Sequence, residues 1–521
     1  MTPTGRTSGL EEFDGEQWYT VADVDRLDPF LMSLVSDGDC WMFVSSSGAL
    51  TAGRGDASQA LFPYVTDDRL HASGGRVGPV TRLRVSVDGD GPAAAGGEGV
   101  LWVPFEARPT PGTRRFVSKS VIGDSVVFEE HRPDLGLQFR YRWSTSATHG
   151  FVRTATVRNV GGSPVRVGVL DGLVDLLPYG LEPTVYQRLS NLTNAYKRSE
   201  LVDPQTRLAV YSLETPVSDR PEPEEVLRAT VAWSAGLDGP DDLDPRALDR
   251  FEAGDDSPHT LITGRPGAYL VRGDVAIEPG ASASWQIVAD VAYTQSDVVE
   301  LRDGLRAGQV SATVADETRR TGERLAEIMA MADGSQMTGD PLSCAHHFAN
   351  VTYNVMRGGV PLDGYRIELD DLVDFIEVHN REVASRHVDF LASLPDRIER
   401  RDLLDRVSSI VAQTGDVHLA RLVDEYLPFS FSRRHGDPSR PWNQFSIRVV
   451  DDAGAPVVYY EGNWRDLFQN WEAMCASFPE YLPGVVTLFV NASTADGHNP
   501  YRITRDGIDW EVPDPDDPWS N

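Results

Sequence analysis

Segment 462–471, GNWRDLFQNW, gathers the residue types that sugar recognition uses: flat aromatic faces for stacking, and side-chain donors and acceptors for hydroxyl groups. Read as a helix, it places Trp464, Phe468 and Trp471 on one face, with Arg465, Asp466, Gln469 and Asn470 around the rim. The same pattern suits a helix start with an aromatic core stripe and a local Arg–Asp pair. A second cluster, 499–511 (NPYRITRDGIDWE), sets three carboxylates, Asp506, Asp509 and Glu511, beside Tyr501, Trp510, Arg502 and Arg505. Glycoside chemistry uses carboxyl groups as general acid and as base or nucleophile, because an oxocarbenium-like transition state needs a proton on one side and negative charge nearby. A salt-bridged loop capping a helical domain would show the same residues.

Other chemistries find little support. The chain has no Walker loop, complete GxGxxG, HExxH, GxSxG or EF-hand loop. Asp238–Asp244 (DGPDDLD) is acidic but misses calcium spacing and reads as a solvated turn. His346 and His347 are adjacent on a helix and cannot face one metal, so they read as core or surface histidines. Cys40, Cys344 and Cys475 fit neither a disulfide framework nor a zinc site, so no metal is expected and a reducing compartment is. Lys and Arg number 48 against 79 Asp and Glu, a net charge of −31 that disfavours nucleic acid and anionic membranes as partners. The N-terminus lacks a signal-like apolar run and no 18-residue apolar stretch occurs, which predicts a soluble, cytoplasmic protein.

The elements that must position these clusters divide in two. From about Trp18 to Tyr293 the pattern is period two; 137–143 (LQFRYRW) puts four apolar side chains on one face and Arg140 and Arg142 on the other. Residues 151–159 and 165–170 read as a hairpin around Gly161 and Gly162, and 285–293 as a closing strand. So many short strands predict a sandwich, large enough for a two-sheet super-sandwich, with 88–99 and 238–256 as surface loops. The period then becomes helical: 317–332 reads as a linker helix, followed by helices at 344–357, 369–379, 383–394, 398–414 and 464–477, with an extended piece at 444–450.

The chain resembles the cellobiose phosphorylase-like family of glycoside phosphorylases, of the six-hairpin glycosidase superfamily. That family carries an Arg-Asp-x-x-Gln-Asp segment at the start of an inward-facing helix, and Arg465-Asp466-x-x-Gln469-Asn470 follows it with Asn470 in place of the last Asp. Segments 29–38, 48–54, 61–64 and 169–178 look like strands of the family's sandwich, and 354–359 and 441–443 like barrel segments of a branch grouped with it. The resemblance implies a multidomain β + α chain. Its parts would be a galactose-mutarotase-like antiparallel β super-sandwich over 1–295, a helical linker over 296–339, and the first part of an (α/α)6 toroid over 340–521. Twelve helices with loops need on the order of 300 residues, more than lie between Asp340 and Asn521, so an incomplete toroid is expected, completed by further chain or by a second chain.

The activity implied is inverting cleavage or formation of glucosidic bonds, in which inorganic phosphate replaces the water and base of a hydrolase. No cofactor is implied; phosphate is a co-substrate, and the partners expected are an oligosaccharide or disaccharide and either a second copy of the chain or a second chain completing the barrel. Arg465 and Asp466 would hold the donor sugar, with Trp464, Gln469, Asn470, Trp510 and Glu511 as further substrate contacts and Asn470 altering preference. The family's general acid lies in a Gly-Asp-Trp-Asn-Asp segment, which Asp509-Trp510-Glu511 imitates, so Asp509 is the catalytic candidate. The competing expectation is that the true acid lies beyond Asn521. The alternatives to a phosphorylase are a non-catalytic carbohydrate-binding or scaffold derivative and a water-using hydrolase of the same superfamily.

Overall fold

A computed structural model describes residues 7–86, 99–215, 226–255, 257–434, 436–440, 446–451 and 453–510. The architecture is multidomain β + α: antiparallel sandwich sheets, then mainly helices. Contacts divide it into two compact units, 1–323 with 436–444 and 324–435 with 445–521.

The first unit is built on an eleven-stranded antiparallel sheet whose order runs Gly9–Phe13, Glu16–Ala22, Arg114–Ser120, Val126–Arg132, Leu137–Ser146, Gly150–Asn159, Ser282–Thr294, Arg228–Ala235, Leu208–Leu213, Lys197–Asp203, Leu261–Thr263. A five-stranded sheet (Asp241–Asp242, Gly267–Ile277, Val165–Leu176, Gly78–Ser86, Val100–Trp102) and a four-stranded sheet from Leu31–Val35 to Ala60–Phe62 supply the other layers. One core joins all three: Phe128, Phe139, Trp143 and Trp285 from the large sheet, Val169 and Tyr269 from the second, Met42 and Leu50 from the third. Strand Leu137–Ser146 realises the period-two reading, with Leu137, Phe139, Tyr141 and Trp143 buried.

Two expectations fail in this unit. Residues 151–159 and 165–170 do not form a hairpin. Gly150–Asn159 pairs with Leu137–Ser146 and Ser282–Thr294, while Val165–Leu176 pairs with Gly267–Ile277 and Gly78–Ser86 in the other sheet. The Gly161–Gly162 turn therefore crosses between layers, pinned by Asn159, whose amide donates to Ser163 O (2.8 Å) and Ile277 O (2.9 Å). Both strands carry apolar side chains that need a facing layer, so packing on opposite sides of one core outweighs local pairing.

The 238–244 run is not a solvated turn either: Asp241, Asp242 and Asp244 are all buried. Each is matched by arginine: Asp241 by Arg207 (Nε–Oδ2 3.0 Å), Asp242 by Arg250 (2.7 Å) and Asp244 by Arg246 (3.0 Å) and Arg250 (3.2 Å). Burial alone would raise the Asp244 carboxyl, but the hydrogen bonds from Arg246 and Arg250 hold it down to about 2. Most of the 88–99 segment lies outside the described residues, as does Asp256 at the end of the second loop.

The second unit is mainly helical. The helices are Pro341–Gly358, Leu369–His379, Arg381–Arg386, Val388–Ala392, Arg400–Thr414, Val417–Glu425, Trp464–Ser477 and Leu482–Ala492. The expected helix at 383–394 is broken at His387, which is buried and bonds Asp416 (Nε2–Oδ2 3.0 Å). Residues 397–399 open the next element as a strand paired with Arg366–Glu368. Of the extended piece at 444–450, Ser446–Ile447 is a strand; Gln444 and Phe445, with segment 441–443, lie outside the described residues. One core gathers Leu372, Phe375, Leu403, Val407, Leu419, Leu422 and Tyr426. A second cluster is aromatic: Phe429, Tyr460, Tyr481 and Phe489 ring Trp471 or one another at 5.1–5.8 Å. No described helix is long and apolar enough to cross a membrane.

Candidate functional site

Both sequence clusters meet on one small sheet. Strand Glu461–Asn463 pairs antiparallel with Arg502–Thr504, which pairs in turn with Gly507–Asp509. Helix Trp464–Ser477 leaves the first strand without a loop. Gly462 permits the close packing of Leu467 on this corner, since a Cβ there would stand 2.7 Å from Leu467 Cγ. The Trp464 amide donates to Tyr501 O (3.0 Å), so the helix start and the second cluster are joined through backbone. Asp466 in the first turn suits the positive end of the helix, and Asn463 Nδ2 reaches it at 3.4 Å.

Around this corner the predicted residues separate into two groups. Arg465 is 79% exposed, with Asp466 3.6 Å away, and Gln469 and Phe468 are exposed beside them. Trp464 is half-buried, stacked on Phe468 at 6.2 Å and edge-on to Phe489 at 5.3 Å. Trp510 and Tyr501 are 43% and 44% exposed.

Asn470 and Trp471 instead point inward. Asn470 is 5% exposed rather than at the rim; its amide donates to Asn354 Oδ1 (3.1 Å), and the Asn354 amide donates to Asn350 O (2.9 Å). Trp471 is wholly buried and donates to Gly358 O (2.6 Å). Gly358 permits this approach, because a Cβ there would lie 2.9 Å from the Trp471 ring. At this position the amide supplies a donor to Asn354 Oδ1, which an ionised carboxylate would not. Glu511 lies outside the described residues, as does the rest of the chain to Asn521. The described residues therefore include Asp509 and Trp510 of the second cluster but not Glu511.

Asp509 is 48% exposed and is held by Arg502, through Nε (2.7 Å) and Nη2. Arg502 Nη1 also donates to Glu461 Oε1 (2.6 Å), and Tyr459 donates to Glu461 Oε2 (2.8 Å). Burial pulls the Arg502 guanidinium down, but Asp509 and Glu461 together leave it above the usual arginine value. Burial and the bond to Glu461 raise the Tyr459 phenol. Arg505, 7% exposed, binds Asp371 (2.8 Å), Asp374 (3.2 Å) and Asp506 (3.0 Å), and Tyr426 donates to the other oxygen of Asp371 (2.6 Å). Asp506 thus belongs to a structural cluster.

The corner offers an exposed Arg–Asp pair, a neighbouring amide, aromatic faces and an accessible carboxylate, the groups that bind and orient a polyhydroxylated ligand. Glu461 and Tyr459 were missed by sequence reasoning. Glu461 immediately precedes the GNWRD segment, but only the strand pairing across 41 positions brings it to Arg502. Among the described residues no group of three or more His, Cys, Asp or Glu is placed to hold a metal; His347 bonds Asp333 O (2.8 Å).

Residues 363–428 match the glycoside hydrolase family 149 insertion domain 1. That stretch runs from before the Arg366–Glu368 strand to beyond the Val417–Glu425 helix, and so includes Asp371, Asp374 and Tyr426 but none of 461–511. No curated protein matches the chain. A bacterial glucoamylase complexed with acarbose aligns with 93% of this chain and 70% of its own at 8% identity and a TM-score of 0.37. A protein from the human microbiome, provisionally described as kojibiose phosphorylase, aligns with 89% of this chain at 7% identity and a TM-score of 0.34; the chain spans 56% of it. A GalM/aldose epimerase homologue from C. elegans aligns along its whole length with 51% of this chain, at 10% identity and a TM-score of 0.30. At those scores the three structures assign no activity, and the chain is tied to known proteins by its similarity over 363–428 to the insertion domain of a glycoside hydrolase family.

Proposed function

We propose that this chain is a carbohydrate-active protein of the six-hairpin glycosidase type that cleaves or forms glucosidic bonds with inorganic phosphate. The observation that carries the reading is the match of 363–428 to a glycoside hydrolase family 149 insertion domain, whose Asp371 and Asp374 hold Arg505 and with it the strand of the candidate site. In this reading Arg465, Asp466 and Gln469 contact the donor sugar, and Trp464, Phe468 and Trp510 supply apolar faces. Asn470 acts through Asn354, and so tunes the helix rather than touching a hydroxyl. Asp509 is the accessible carboxylate; to protonate a bridging oxygen it must first release Arg502. A cytoplasmic setting fits the three free cysteines and the supply of phosphate.

That commitment of Asp509 to Arg502 favours a second reading, a non-catalytic carbohydrate-binding derivative. Incubation with β-linked glucose disaccharides, with and without phosphate, separates the two. Phosphate-dependent sugar 1-phosphate, detected by phosphorus NMR and diminished by Asp466→Asn, supports phosphorolysis. Saturable binding without turnover supports the second reading, and release of glucose in water alone indicates a hydrolase. Neither binding nor turnover by the full chain would overturn all three.

A further inference from the structure

The large sheet of the first unit carries a cleft that the candidate site does not use. Its floor is the outer face of Val126–Arg132, Leu137–Ser146 and Gly150–Asn159, where the strand alternation that buries Phe128, Phe139 and Val157 turns Glu129, His131, Gln138, Arg140, Thr156 and Arg158 outward. One wall is the hairpin of Gly9–Phe13 and Glu16–Ala22, and the other is Gly280 and Ser282.

In sheet order the hairpin lies several strands from Leu137–Ser146, yet Arg140 reaches Asp14 (2.9 Å) and Arg142 reaches Glu16 (3.2 Å). The sheet edge therefore curls over its own face. The Phe13–Trp18 stack, at 4.8 Å with Arg142 over Trp18, fixes the curl. The space enclosed is about 820 Å³, within the roughly 300–1,000 Å³ of small-molecule sites.

The lining chemistry selects the ligand. Gln138 and Arg158 have no side-chain partner among the described residues, so an amide and a guanidinium face the cleft with their donors unspent. Acceptors stand on the hairpin wall at Glu11, Glu12 and Asp14 and on the floor at Glu129, and Thr156 shares a hydroxyl bond with Ser284 (2.8 Å). Four carboxylates against Arg140 and Arg158 leave the lining net negative, which rejects phosphate and sulfate groups. Alternating donors and acceptors beside the ring of Phe13 suit vicinal hydroxyls and the C–H face of a pyranose. We propose that this cleft is a binding site for an uncharged oligosaccharide, separate from the corner at 461–471.

The test measures protection of backbone amides in the full chain by α-1,4-, β-1,4- and β-1,3-linked glucohexaoses, using hydrogen exchange with mass spectrometry. The expected result is saturable protection of 9–14 and 126–140 by at least one hexaose. Gln138→Ala and Arg158→Ala should each weaken it by about tenfold, the loss of one ligand hydrogen bond, while Asp466→Asn leaves it unchanged. Both replaced side chains lack partners, so unaltered melting temperatures are expected. Protection by none of the hexaoses, protection that persists in the double variant, or protection by inorganic phosphate would each overturn the assignment. Protection confined to 461–471 would refute the cleft while supporting the proposed function of the corner.

Discussion

Arg505→Met tests whether the insertion-like segment holds the candidate site in place. Methionine keeps the aliphatic stem packed and removes only the guanidinium. Three ion pairs are lost, to Asp371, Asp374 and Asp506, but Asp374 and Asp506 are 62% and 55% exposed. Each exposed pair contributes about 0–1 kcal/mol. The Asp371 contact, made by a buried nitrogen, is worth about 1.5–3 kcal/mol as a hydrogen bond to a charged group.

Two features moderate the loss. Asp371 retains its bond from Tyr426, and Arg505 Nε is buried without a partner, a cost that the substitution removes. The net should be about 2 kcal/mol, below the ~3–5 kcal/mol of severing a fully buried pair. Amide exchange in 502–509 and 369–379 should then accelerate by about thirtyfold, as ~1.4 kcal/mol is tenfold. Arg505→Lys should recover only part, because an ammonium cannot bridge Asp371 and Asp374 as a fork does. Unchanged exchange in both segments of Arg505→Met would refute the reasoning and detach the 363–428 match from the site.

Two further outcomes concern the sandwich. Asp171 is wholly buried and accepts from Thr81 (2.6 Å), Trp285 (2.6 Å) and Arg153, also wholly buried. Asp171→Leu should cost about 3–5 kcal/mol by stranding Arg153, and adding Arg153→Met should recover at least half; exchange at 150–159 reads both, and additive losses would refute the coupling. Burial lowers Lys119 to about 8, against a smaller opposing effect of Asp124. The unfolded chain then binds more protons between about pH 8 and the ordinary lysine value of about 10.4, so stability rises with pH over that window and is least below it. Lys119→Met should flatten the pH dependence of the denaturation midpoint there; an unchanged slope would refute it.

What the sequence determined by itself was periodicity. Alternation in 137–143 is decided by which side chains leave water, and it reappears as Leu137, Phe139, Tyr141 and Trp143 buried and Arg140 and Arg142 outward. The helices at 369–379 and 464–477 follow equally, since apolar positions three and four apart need one covered face. The clustering of Trp464, Arg465, Asp466 and Gln469 was legible for the same local reason.

Tertiary structure decided everything that depends on who faces whom. Whether Gly161 and Gly162 turn a hairpin or cross between sheets depends on which layer covers Val165–Leu176. Whether acidic residues are solvated depends on arginines distant in sequence, so Asp241, Asp242 and Asp244 proved buried ion-pair partners. Asn470 moved from rim to interior because Asn354, 116 positions away, supplies its acceptor. Asp509 met Arg502 and Glu461 only through the pairing of strands 461–463, 502–504 and 507–509. Periodicity is written in neighbouring residues; the partner of a buried charge is chosen by the fold that removes its water.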